Sequence, residues 1–143
     1  MKDLRKFYID GQWVDPIQSN DLPVENPANE ELVATISLGA AADVNLAVAA
    51  ARRAFLGFSQ TSVDERIALM EKLLQIYIDR YDEMAVAISI EMGAPISFAT
   101  AAQADCGRGH INAALEALKQ FEFERQVGNT RIVKEAIGVC GFI

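Results

Sequence analysis

The sequence predicts an α/β protein in which 143 residues form a small β lead-in, a block of helices and returning strands. A hairpin pattern comes first, apolar residues then recur at helical spacing, and alternating and continuous apolar runs close the chain. Hydrophobic residues make up 51% and charged residues 23% of the chain, an ordinary balance for a protein with a core. This length predicts one domain, 1–143.

The first β element is the segment FYIDGQWV. Phe7–Ile9 and Gln12–Val14 flank Asp10-Gly11, a dipeptide that accepts the positive φ angles of a type I′ turn. Three prolines then punctuate an extended stretch, and ELVATISLG follows as an alternating strand that ends at Gly39. The side chains predicted to share one face of this strand are Leu32, Ala34, Ile36 and Leu38.

Three helices are predicted next from their start and stop signals. Asp43 is the predicted N-cap of the first helix, whose apolar stripe comprises Val44, Val48, Ala51 and Phe55. The second opens with a capping box between Ser62 and Glu65, and its stripe comprises Val63, Ile67, Met70, Leu74, Tyr77 and Tyr81. The third is predicted over 82–92 and stops at Gly93.

A long helix is predicted from Pro95 to about Phe121. Its first half carries small residues that would let a neighbouring helix approach closely, namely Ala99, Ala102, Cys106, Gly109 and Ala113. A turn is then predicted at 126–130, an alternating strand at 131–136 and a strand buried on both faces at 136–143. Because chain ends normally fray, this terminal run predicts that the sequence is the first part of a longer protein.

Charge and cysteine usage narrow the possible function classes. The net charge is −7 and no basic cluster is present, which argues against nucleic acid or an anionic membrane surface as a partner. No window reaches the roughly 20 apolar residues that span a bilayer, and the N-terminus lacks an apolar signal core. Two cysteines without a CxxC motif or a disulfide framework favour a reducing cytoplasm.

Cys106 and His110 are the pair with the most obvious chemical potential. Four residues apart on a helix, they share a face, and such a pair can be a nucleophile with its base or half of a zinc site. No other cysteine or histidine lies nearby, so no metal site is predicted, and a packed thiol beside an ordinary histidine is favoured over a Cys106–His110 hydrolase. Cys140, inside the terminal apolar run, is predicted to be a small core residue.

A series of short motifs runs through the chain in a characteristic order. They are FYIDGQWV at 7–14, the Asn-Pro, strand and DVNLAVAAARRAF helix within 24–55, Arg66, EMGAP at 91–95 and EAIGVCGFI at 135–143. Together they cover almost the whole chain, which resembles the start of an aldehyde dehydrogenase. Phe58 stands where many members carry Trp, and Ala94 where many carry Lys, so these departures bear on the subgroup.

The resemblance implies the N-terminal hairpin, helical block and first strands of an aldehyde dehydrogenase-like Rossmann-type cofactor domain, incomplete in this chain. It also implies that 122–137 enters the oligomerisation region. Ile143, which matches the residue just ahead of the family's Pro-Trp-Asn segment, is implied as the cofactor-binding residue of this chain. Neither Cys106 nor Cys140 matches the family's nucleophile, so no catalytic residue is predicted here.

For the parent protein, the resemblance implies a cytoplasmic homo-oligomer that oxidises a small-molecule aldehyde to a carboxylic acid. NAD or NADP is the implied cofactor, and the reaction would pass through a cysteine thiohemiacetal and thioester. The alternative interpretation is a non-enzymatic helical interaction module, in which the Ala-rich helix and the terminal strand bind a partner.

Overall fold

The computed structural model describes residues 2–142, and within them short β-sheets flank a block of helices. The strands are β1 (Lys2–Leu4), β2 (Phe7–Ile9), β3 (Gln12–Val14), β4 (Asp21–Glu25), β5 (Leu32–Ser37), β6 (Glu124–Val127) and β7 (Thr130–Val133). The helices are α1 (Ala41–Phe58), α2 (Val63–Asp79), α3 (Tyr81–Met92), α4 (Ile96–Phe98) and α5 (Ala104–Gln120). A π-helical segment, Ala99–Gln103, joins α4 to α5. This mixture confirms the predicted α/β class.

The predicted N-terminal hairpin is confirmed. Strands β2 and β3 pair antiparallel, and the two turn residues, Asp10 and Gly11, have φ angles of 54° and 76°, as a type I′ turn requires. The rings of Tyr8 and Trp13 face each other across the strands with centroids 5.3 Å apart. The turn is tied to α1 by Arg53, whose Nη2 lies 2.8 Å from Asp10 Oδ2.

Strand β5 is the central strand of a three-stranded sheet, parallel to β1 and antiparallel to β4. Its buried residues are Ala34 and Ser37, which point to opposite faces, whereas Leu32 and Leu38 are exposed. The four residues predicted to share one face therefore differ in burial, since Ile36 is half-buried between these extremes. Pro23 lies within β4 and is tolerated because β4 is an edge strand.

Helix α1 begins at Ala41, so the predicted N-cap at Asp43 was wrong. Asp43 is the third helical residue, and its carboxylate, which is buried, reaches back to the chain before the helix. It accepts hydrogen bonds of 2.9 Å from the N–H groups of Ile17 and Ala40. These two bonds, that of Ile17 first, lower the pKa of Asp43 and fix the Ile17 loop to the start of α1.

The predicted capping box of α2 is confirmed. The Glu65 N–H donates to Ser62 Oγ over 3.1 Å, and the Ser62 N–H donates to Glu65 Oε2 over 2.7 Å. All six residues of the predicted α2 stripe are half-buried, whereas Val44 of the α1 stripe is exposed. Helix α3 ends at Gly93 as predicted, with φ of 70°, and a Cβ there would lie 2.8 Å from Pro27 Cγ.

The predicted small-residue stripe of the long helix holds only in its first turn. Ala99 is fully buried, but three later members of the stripe are exposed, namely Cys106, Gly109 and Ala113. A π-helical turn bonds i to i+5 and so adds one residue to the helix, which rotates everything after it by one position. The buried side therefore continues through Ala104 and Leu115, with Gly107 half-buried between them.

Two tyrosines of the helical block hold this π-helical segment in place. The hydroxyl of Tyr77 donates to the Ala104 carbonyl over 2.7 Å, and that of Tyr81 donates to the Thr100 carbonyl over 2.5 Å. Their rings meet edge to face with centroids 6.3 Å apart. Gly107 makes room for Tyr77, because a Cβ at this position would lie 2.3 Å from the Tyr77 oxygen.

The last part of the chain contains a hairpin, β6–β7, but not the predicted terminal strand. The turn lies where it was predicted, whereas the strand predicted over 131–136 begins at Thr130 and ends at Val133. Residues 134–142 form neither helix nor strand, and Ile137 and Phe142 are 95% and 99% exposed. A strand needs a partner strand, and the described residues place none beside this segment.

Gly107→Ala is expected to destabilise the protein by about 1–3 kcal/mol, because the new methyl group displaces Tyr77 and breaks its hydrogen bond to Ala104. Gly109→Ala, on the same helix, is the matched control: no atom lies within 4 Å of its Cβ position. This control should gain about 0.5–1 kcal/mol from the better helix former. Urea unfolding of both variants checks the prediction, and equal shifts in the same direction would contradict it.

Asp43→Asn is expected to lower the melting temperature at neutral pH. It is also expected to reduce the fall in melting temperature that the wild-type protein shows at acid pH. The pKa of Asp43 is lowered from 3.8 in the folded state, so its contribution to stability is complete above that value. This contribution is lost as the pH falls through the lowered pKa of the folded state. Asn has a single acceptor oxygen at this position, so it keeps at most one of the two hydrogen bonds to Ile17 and Ala40. Melting curves against pH test this, with the exposed Asp64→Asn as control; the same profile for both variants would contradict it.

Candidate functional site

The predicted cofactor-binding residue, Ile143, lies outside the described residues, but the segment that leads to it borders a cleft. Residues 137–141 form one wall of this cleft, and Val48, Arg52 and Phe55 of α1 form the other. Its volume is about 620 Å³. On the α1 wall, Val48 and Phe55 are half-buried. The opposite wall, 137–141, pairs with no strand within residues 2–142.

The side chains that line this cleft include no general base. Arg52 is the charged group there, and no carboxylate of the described chain pairs with it. Cys140 lines the cleft and is exposed, so its predicted burial in a core was wrong, since the strand that would bury it is not formed. No histidine or carboxylate stands among the lining residues to activate the thiol.

The other predicted pair, Cys106 and His110, lies on the outer side of α5, where both residues are exposed. The prediction that Cys106 packs as a small buried thiol was wrong, because the π-helical turn rotates it away from α2. Among residues 2–142, no three His, Cys, Asp or Glu side chains gather as a metal site would require. The geometry thus gives the hydrolase interpretation no activated nucleophile.

A second concave region lies between α2 and α3. Its volume is about 500 Å³, and its apolar walls come from Leu73, Ile76, Tyr77, Met84, Val86 and Ala87. The rim carries Lys2 and an ion pair between Arg80 and Glu83, whose Nη2 and Oε2 atoms are 2.8 Å apart. This pair lowers the pKa of Glu83 through its hydrogen bond and charge. The groove is an open apolar surface with charges at its edge, and Glu83, the carboxylate of that edge, is held in the ion pair with Arg80.

The sequence did not predict the most specific contacts of the helical block. The hydroxyl bonds to the carbonyls of Ala104 and Thr100 come from two tyrosines that were assigned only to an apolar stripe. A glycine inside a helix facing a predicted aromatic was the signal that could have indicated a close approach at Gly107. None of the described helices is long and apolar enough to cross a membrane.

Comparison with known proteins gives this arrangement its context. The model of the aldehyde dehydrogenase family matches residues 13–143, and the chain belongs to that family. It is 49% identical over its whole length to a 3-succinoylsemialdehyde-pyridine dehydrogenase from Pseudomonas sp., of which it covers 30%. The chain therefore spans about 30% of the length of the curated relatives it matches.

Solved structures agree with this assignment. An aldehyde dehydrogenase from Bartonella henselae superposes with a TM-score of 0.87 at 44% identity, over 91% of this chain and 28% of the other. Aldehyde dehydrogenase C from Pseudomonas syringae, solved with NAD+ and octanal, gives a TM-score of 0.86 at 44% identity, over 89% of this chain and 26% of the other. The predicted family and fold are thus confirmed.

Proposed function

We propose that this chain is the N-terminal segment of an NAD- or NADP-dependent enzyme that oxidises a small-molecule aldehyde to a carboxylic acid. The family match over residues 13–143 carries the proposal. It is supported by a relative named as a semialdehyde dehydrogenase and by a structural neighbour solved with NAD+ and octanal. The share of the relatives that the chain covers, about 30%, leaves most of such an enzyme to residues outside this sequence.

The proposed chemistry needs a cysteine thiolate that attacks the aldehyde carbon. The thiohemiacetal would be tetrahedral at the former carbonyl carbon, bound NAD or NADP would supply the hydride acceptor for its oxidation to a thioester, and water would be needed to release the acid from the cysteine. Cys106 and Cys140 are the two cysteines of the sequence, and within residues 2–142 neither thiol is hydrogen-bonded to a base. We therefore assign the nucleophile to a part of the protein that this sequence does not include.

The described residues do not form a complete dinucleotide site. Such a site needs a glycine-containing turn that opens a helix, whereas Gly138 and Gly141 lie in a segment with no helix after them within residues 2–142. We propose that Ile143 approaches the cofactor in the whole protein, and that 136–142 becomes a sheet strand there. The exposed apolar side chains of this segment support that change, because burial would remove them from water.

We also propose that 122–137 takes part in homo-oligomerisation and that the protein works in the cytoplasm. Hairpin β6–β7 supports the first point: it is paired to no other sheet of the described chain, so its outer edges carry free backbone groups. The absence of a disulfide framework in the sequence supports the second.

The intact protein that carries this sequence is expected to reduce NAD or NADP when an aldehyde is added, and to form the matching acid. The rise in nicotinamide absorbance, together with chromatographic detection of the acid, measures this for a series of aldehydes that includes octanal. Assays without aldehyde, and with the matching alcohol, are the controls. No turnover of any aldehyde with either cofactor would contradict the proposal and favour a non-enzymatic interaction module.

Cys140 is expected to be protected from thiol reagents in the intact native protein, because a sheet strand formed by 136–142 would bury it. Maleimide labelling followed by peptide mass spectrometry measures the rate at each cysteine, with the urea-unfolded protein as reference. Protection of at least about tenfold is expected, the factor that corresponds to an opening free energy near 1.4 kcal/mol. A native rate at Cys140 equal to the unfolded rate would contradict the proposed strand.

A further inference from the structure

The base of hairpin β6–β7 contains a cluster of two cations and two aromatic rings. It comprises Arg66 of α2, Phe121 and Phe123 of the link between α5 and β6, and Lys134 just after β7. The Arg66 guanidinium carbon lies 4.9 Å from the Phe123 ring centroid, and Lys134 Nζ lies 4.1 Å from the Phe121 centroid. The two rings meet edge to face with centroids 4.7 Å apart. We call these four residues the cation–π cluster.

The cations of this cluster are held by aromatic faces and not by carboxylates. Ion pairs elsewhere in residues 2–142 engage other cations, such as Arg131 with Glu124, but neither Arg66 nor Lys134. Arg66 Nε is shielded from solvent and has no hydrogen-bond partner in the described chain. The ring contacts are therefore the interactions that the described residues provide for these two charged groups.

The cluster links the two ends of the hairpin to the helical block. Phe121 and Phe123 precede β6, and the Lys134 N–H donates to the Phe123 carbonyl over 2.8 Å, which closes the hairpin at its base. Arg66 comes from α2, so its contact with Phe123 joins this closed base to the helices. No other sheet of the described residues pairs with the hairpin, which leaves the cluster as the contact that sets its direction.

We propose that Arg66 and Lys134 are positioning residues that fix, through Phe123 and Phe121, the direction in which hairpin β6–β7 leaves the helical block. The proposal rests on the proposed function in one respect, that the hairpin is the element through which a second copy of the chain associates. A hairpin held at its base loses less conformational entropy on association than a free one. The cluster therefore strengthens self-association by restricting the hairpin before the second copy binds.

Hydrogen exchange of the intact protein tests the positioning role. Arg66→Gln is expected to raise exchange of the amides in 124–133 by about three- to tenfold, the range that a partly desolvated cation–π contact supports. Arg52→Gln is the matched control, because Arg52 is another α-helical arginine that has neither an ion pair nor a cation–π contact in the described chain. Phe123→Leu should act like Arg66→Gln, and the double variant should show no more exchange than the larger single effect.

Conservative variants separate this role from simple packing. Arg66→Lys and Phe123→Tyr keep a cation over an aromatic face and should keep exchange near the wild-type rate. Two results would overturn the proposal. One is equal exchange of the 124–133 amides after Arg66→Gln and after Arg52→Gln, and the other is equal exchange after Phe123→Tyr and after Phe123→Leu. An increase spread evenly over α2 and α5 would also overturn it, because that pattern indicates general loosening.

Assembly is measured on the same variants by light scattering after size exclusion, and dehydrogenase activity is measured separately. Weaker self-association of Arg66→Gln, restored in Arg66→Lys, supports the link between the cluster and association. A loosened hairpin with unchanged assembly overturns that link. A protein that shows the exchange effects but oxidises no aldehyde contradicts the proposed function while the positioning role of the cluster stands.

Discussion

The contact between Tyr77 and the π-helical turn determines how the helical block packs. The added residue of that turn rotates α5, and the rotation brings Gly107 instead of a larger residue against the Tyr77 ring. The hydroxyls of Tyr77 and Tyr81 donate hydrogen bonds to the carbonyls of Ala104 and Thr100. These carbonyls lie near the point where the α-helical hydrogen-bonding pattern is interrupted. One irregular turn thus sets which side of α5 is buried and which side carries Cys106 and His110 outward.

Local signals in the sequence predicted those elements that depend on nearby residues alone. The Asp10-Gly11 turn, the capping box at Ser62 and the stop at Gly93 each follow from backbone groups within a few positions, and each was confirmed. The π-helical turn was missed because no pattern of side chains distinguishes an i+5 turn from an ordinary one. The predicted burial of Cys106 failed for that reason, since a one-residue shift moves a helical side chain by a quarter of a turn or more.

The terminal strand shows a different limit. An apolar run indicates that a segment is suited to burial, but a strand forms only where a neighbour supplies the other half of its hydrogen bonds. Residues 136–142 are apolar but have no neighbouring strand within the described chain, so Ile137 and Cys140 are exposed. Ile143 lies outside the described residues, so its role at the cofactor stays a prediction.

The core of the described residues consists mainly of small side chains. The buried apolar side chains of the described chain are five alanines and Leu115, while large side chains such as Leu69 and Ile76 are exposed. Alanine contributes little apolar area, so helices joined in this way are held by close approach and specific bonds more than by burial. Exposed apolar faces of this extent gain stability when further chain covers them. Under the proposed function, a segment that spans about 30% of its relatives contributes packing surfaces and the hairpin, and the remaining chain carries the reacting groups.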